Sequence, residues 1–142
     1  MAQARQSTNS RPPVSIGAVI DCVGALATRS LSGNLYLYDT NKSEGSAGFG
    51  TEELRTTVRV GDKILWTVLS LECEAYVGID SILIDHALCE PERRVYPGTD
   101  VAYWTGTLKA GAKGAIPYQM KFKVGARTEP MTTPLSAVLV AG

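Results

Sequence analysis

The stretch Gly48-Phe49-Gly50-Thr51-Glu52-Glu53-Leu54-Arg55-Thr56-Thr57-Val58-Arg59-Val60-Gly61-Asp62-Lys63-Ile64-Leu65-Trp66-Thr67-Val68 decides how the chain is read. It leaves a glycine-rich loop and enters a segment that alternates apolar and polar residues. The alternation puts Leu54, Val58 and Val60 on one face and Arg55, Thr57 and Arg59 on the other. A period of two is the signature of a half-buried strand. Gly61-Asp62 suits a tight hairpin, because glycine tolerates the positive φ of its first position, and a bend between two sheets fits equally well. Lys63, Ile64, Leu65 and Trp66 then open a strand that turns apolar on both sides through Val68, Leu69 and Leu71, as expected where both faces are covered. Residues 76–84 return as a third strand, with Val77, Ile79 and Leu83 on one side and Tyr76, Ile82 and Ile84 on the other.

Outward from this centre the same pattern recurs. In residues 14–23, Ile16, Ala18, Ile20 and Cys22 share one face, and Gly24 interrupts the run. Residues 34–38 form a brief strand after a turn at Leu31-Ser32-Gly33. Downstream, residues 101–109 read as a strand, and residues 85–100 as a connection whose charge run Glu92-Arg93-Arg94 is a solvated face. Ile116, Tyr118, Met120, Phe122 and Val124 alternate against Gln119, Lys121 and Lys123, and Pro117 points to an edge position. Residues 135–140 close the chain. No segment has a helical period. The pattern predicts an all-β domain, an antiparallel β-sandwich (jelly-roll or immunoglobulin-like) or closed barrel of about eight strands. The domain is expected at 13–142, after a flexible N-terminal arm at 1–12 stiffened by Pro12-Pro13.

Bulk properties narrow the function. A chain of 142 residues, 44% hydrophobic and 20% charged, is one globular domain. Fourteen basic residues balance fourteen acidic ones, so no excess charge draws the chain to nucleic acid or anionic lipid. The polar residues 1–12 lack the apolar run of roughly 7–15 residues that a secretory signal needs. No span approaches the roughly 18 apolar residues of a transmembrane helix. Cys22, Cys73 and Cys89 have no CxxC spacing and read as free, mostly buried thiols of a cytoplasmic protein.

Candidate chemistry is sparse. His86, the one histidine, follows Asp85 and could form an oriented pair for general base work. It lacks a nucleophile elbow, and a solvated strand-end histidine is the simpler reading. One histidine and three scattered cysteines cannot build a zinc or copper site. Asp39, Asn41, Ser43 and Glu44 offer alternating oxygen ligands like the first half of a calcium loop, without its terminal glutamate. Asx-turn chemistry accounts for the same residues. The glycines at 45–50 run into a strand, not a helix, and so are not a phosphate loop. Trp66 belongs to an apolar strand and reads as core. Trp104, beside Tyr103 and near Asp100, is the better surface aromatic, and an aromatic ring beside carboxylates suits the apolar face and hydroxyls of a sugar.

Gly50-Thr51-Glu52-Glu53-Leu54, then Val58-x-Val60-Gly61-Asp62-x-Ile64-x-Trp66 and Tyr76-Val77-Gly78-Ile79, resemble the AidA/PixA inclusion-body protein family. Ile20-Asp21 and residues 34–39 occupy the places of that family's first strand and following loop, and Tyr118-x-Met120-x-Phe122 extends the likeness loosely. The resemblance implies a small bacterial β-sandwich without catalytic residues that accumulates or assembles in the cytoplasm, some members binding glycans. The leading expectation is a non-enzymatic protein that self-associates into a homo-oligomer or larger assembly. The alternative is a carbohydrate-binding module using Asp100, Tyr103, Trp104 and the loop at 39–44, with calcium as an assisting ion. A small hydrolase centred on Asp85-His86 stands third.

Overall fold

A computed structural model of the chain describes residues 11–72 and 74–142; most of the expected arm at 1–12, and Cys73, lie outside the described residues. Among these residues, ten strands and one α-helix follow in the order β1 (Val14–Ile20), α1 (Cys22–Thr28), β2 (Leu35–Asp39), β3 (Arg55–Val58), β4 (Lys63–Ser70), β5 (Val77–Leu83), β6 (Glu92–Val95), β7 (Ala102–Thr107), β8 (Gly114–Val124), β9 (Met131–Thr132) and β10 (Ala137–Ala141). They form two facing sheets, one ordered β2-β1-β4-β7-β6, the other β3-β10-β8-β5 with β9 added beside β8.

The mostly β architecture matches the alternation, and the inward residues are the expected ones on β1 and β8, as is Trp66 on β4. Ile16, Ala18 and Ile20, then Ile64 and Trp66, then Ile116, Tyr118, Met120, Phe122 and Val124 are all buried. Trp66 from one sheet meets Tyr118 from the other edge-on, with ring centroids 5.9 Å apart. This contact joins the two layers.

The sheets are mixed, which corrects the antiparallel expectation. β1 pairs parallel with β4, and β10 pairs parallel with β3. Gly61-Asp62 is the reason for the first pair. Gly61 has φ 93°, and the turn carries the chain from β3 in one sheet to β4 in the other. It is a bend between layers rather than a hairpin, so β4 arrives beside β1 running the same way. Asp62 holds the bend: its Oδ2 accepts the Arg59 N–H at 2.9 Å, and its Oδ1 accepts Arg11 Nε at 2.8 Å. The bend also leaves Val60 exposed, reversing the expectation for it, while Thr56 is buried on the same face as Leu54 and Val58.

The helix was not expected from the sequence. Asp21 caps it, its carboxylate accepting the Gly24 N–H at 2.9 Å, and Arg29 ends it in the left-handed region at φ 57°. Cys22 and Ala25 face the core, so this short helix buries only two residues.

On β5 the pairing with β8 slips between Ile79 and Ser81. A bulge inserts one residue and switches faces, so Val77 and Ile79, then Ile82 and Ile84, pack on the core while Leu83 is exposed. Strict alternation had placed Leu83 with Val77. Pro117 sits on β8, an internal strand, but β5 joins only from Gln119 onward. The strand is an edge where proline occurs.

Candidate functional site

Two surfaces carry the chemistry. The first is the outer face of the first sheet. Trp66 pairs with Trp104 across β4 and β7, and both face inward. Their alternating neighbours therefore face out: Lys63 and Leu65 on β4, Tyr103, Thr105 and Thr107 on β7. Cross-strand register then sets Glu92 beside Thr105 and Arg94 beside Tyr103. These residues, with Glu90 and Lys109 at one end, line a groove of about 350 Å³. Lys109 Nζ lies 3.1 Å from Glu90 Oε1, and the Arg94 guanidinium contacts the Glu92 carboxylate. That contact holds the Arg94 pKa above its usual value. Lys63 has no acidic partner within ion-pair distance among the described residues. Thr105 is 8% exposed, and its Oγ1 is buried without a hydrogen-bond partner. Behind the floor, Cys89 packs against Gly106, where a Cβ would stand 2.8 Å from its sulfur. Burial pushes the Cys89 thiol up to about 11, so it stays protonated near neutrality.

The second surface is the end of the sandwich that carries α1. The β4–β7 ladder stops at Trp66↔Trp104, so residues 67–70 of β4 pair only with β1. The Leu71 N–H donates to Ile20 O, and the amides of Cys22 and Val23 donate to the Glu72 carboxylate. The Gly125 N–H donates to Tyr76 O, and Leu26 lies against Gly125. These bonds gather Val23, Leu26, Leu69, Leu71 and Tyr76 at one end. Leu69 is 68%, Leu71 59% and Tyr76 61% exposed. Leu69 and Leu71 were expected to be covered on both sides. They are not: alternation with the inward Trp66 puts Leu69, like Leu65, on the outer face of the sheet, and β7 no longer flanks it there.

The sugar-site residues do not converge. Trp104 points between the sheets, its Nε1 donating to Ile79 O at 3.2 Å. Asp100 is exposed in the loop before β7. Tyr103 alone faces the groove, braced by Tyr96 at a centroid distance of 4.4 Å. The calcium candidates are turned to other partners. Asp39 Oδ1 accepts the Asn41 N–H, Asn41 Nδ2 donates to Thr57 O, and Glu44 Oε1 lies 3.1 Å from Arg59 and 3.9 Å from Arg11. Ser43 is exposed in the turn Lys42–Glu44. Among the described residues, no three His, Cys, Asp or Glu side chains gather as a metal site. His86 is exposed, and Asp85 Oδ1 accepts the Ala87 N–H rather than orienting the imidazole. Sequence reading missed Lys63, Thr105 and Arg94. The signal was present in Lys63-x-Leu65 and Tyr103-x-Thr105-x-Thr107, which alternation alone puts on one face.

No curated protein matches the sequence. Among solved structures, the crystal structure of the inclusion body protein PixA from Burkholderia cenocepacia J2315 is similar, with a TM-score of 0.70 at 16% identity, covering 92% of this chain and 94% of that one. The likeness bears out the resemblance to the PixA family at the level of fold. Residues 12–129 match the family described as a domain of unknown function, DUF8788, and the chain belongs to that family.

Proposed function

We propose that this protein is a non-catalytic β-sandwich that self-associates through its α1 end into a homo-oligomer or larger assembly. The observation that carries the reading is the cluster of Val23, Leu26, Leu69, Leu71 and Tyr76. These are five of the twelve large hydrophobic side chains exposed among the described residues, so concentration rather than scatter marks this end. Exposed apolar side chains concentrated at one end of a domain suit a contact surface. The same patch on two copies can meet about a twofold axis, giving a closed dimer. The balanced charge of the chain adds no long-range repulsion between copies. The fold likeness to a protein described as an inclusion body protein agrees with an assembling role. The Asp85-His86 segment is solvated, and Asp85 Oδ1 accepts the Ala87 N–H. No helix among the described residues is long and apolar enough to cross a membrane, and we place the assembly in the cytoplasm.

Size-exclusion chromatography with light scattering tests the reading. Wild type is expected above monomer mass, and Leu69→Lys/Leu71→Lys at monomer mass. A wild type that is monomeric at every concentration overturns it.

A further inference from the structure

The geometry points to the groove on the outer face of β4, β6 and β7 as a binding site for a small hydroxylated oxyanion, a sugar-sized molecule bearing a carboxylate or a phosphate. The inference rests on the groove alone and is independent of self-association.

Three observations carry it. The groove, at about 350 Å³, is of the size that holds a small ligand. Its charges are three cations, Lys63, Arg94 and Lys109, against two carboxylates, Glu90 and Glu92. Arg94 and Lys109 already pair with those carboxylates at solvent-exposed positions, where an ion pair contributes little and re-pairs readily. Lys63 is left over as an ammonium with three donors and no acid. The third observation is the Thr105 hydroxyl, shielded and without a partner. A buried hydroxyl is normally satisfied, and this one stands beside Glu92 across the strand pair. An incoming oxyanion draws Arg94 away from Glu92 and opens Thr105 to a ligand oxygen. Lys63 takes the oxyanion. Tyr103, fixed by its contact with Tyr96, limits the groove at its Arg94 end and offers ring edge and hydroxyl to the rest of the ligand. Carboxylate and phosphate both satisfy this donor set. A neutral sugar does not use Lys63.

The experiment is titration of the ¹⁵N-labelled full chain with inorganic phosphate, glucose 6-phosphate, glucuronate and glucose, repeated for Lys63→Met and Thr105→Val. At least one oxyanion is expected to saturate a single site, with shifts confined to β4, β6 and β7, while glucose leaves them unmoved. Lys63→Met is expected to weaken that binding about tenfold, and doubled salt to weaken it further. Thr105→Val is expected to weaken it while leaving the melting temperature unchanged or higher, since it removes a hydroxyl that has no partner in the free protein. Saturation by glucose 6-phosphate alone identifies a phosphorylated sugar; saturation by glucuronate alone identifies a sugar acid. Absence of saturable binding, glucose binding as tightly as glucuronate, or binding indifferent to Lys63→Met overturns the inference. The light-scattering mass of both variants should equal that of wild type, which separates this result from the association reading.

Discussion

Tyr118 carries its hydroxyl into the core beside the Trp66 indole N–H and Asp39, where none of the Tyr118 hydroxyl, Trp66 Nε1 and Asp39 Oδ2 makes a well-formed hydrogen bond among the described residues. Burial raises the phenol pKa above its ordinary value; the nearby Trp66 works against this and the Asp39 carboxylate with it. A buried polar group without a partner costs about 1–3 kcal/mol. Tyr118→Phe keeps the ring and its edge contact with Trp66 and removes that cost. It should therefore leave stability unchanged or raise it by about 1 kcal/mol, read by urea denaturation; a loss of that size would show that the hydroxyl is bonded. Asp62 should behave oppositely. Its nearly buried carboxylate accepts from both the Arg59 amide and Arg11, so Asp62→Ala should destabilise by about 2 kcal/mol. An unchanged urea midpoint would mean that Gly61 alone makes the bend. At this scale the sequence was informative about hydrophobic residues: the alternation on β8 named five buried side chains without error. It was silent on Thr105 and Asp62, because whether a polar side chain is covered depends on strands distant in the chain.

At the scale of elements, α1 shows where pattern reading stops. It spans seven residues, Cys22–Thr28, less than two helical periods in all, and Cys22 also continues the alternation of β1. Asp21 before it was the local signal, an N-cap residue at the place where alternation fails. The Gly24 amide, and then the neighbouring Glu72, hold the Asp21 pKa below its usual 3.8. A carboxyl depressed in the folded state contributes stability above the unfolded pKa and loses it as pH falls through the folded value. Stability should thus decline as pH drops below about 3.8. Asp21→Asn should flatten that part of the profile; an identical acid limb in wild type and variant would exclude the cap as its source. The β5 bulge and the β1–β4 parallel pair were illegible for a related reason. A period of two fixes which face a residue takes, but neither strand direction nor a one-residue slip.

For the whole molecule, two facing sheets leave one end capped by a short helix whose outer residues are apolar. The sequence places Leu69 and Leu71 in an apolar run but does not reveal that the outer face of this sheet is left uncovered and that β7 stops short of them. That topological fact converts an expected core segment into surface, and with it the basis for self-association. Mass by light scattering across a concentration series, for wild type beside Leu69→Lys/Leu71→Lys, bears on this most closely. Wild type should exceed monomer mass and rise with concentration toward a plateau or continued growth, and the double variant should remain monomeric with an unchanged melting temperature. A monomeric wild type throughout, or a double variant that assembles as wild type does, would contradict association through the α1 end.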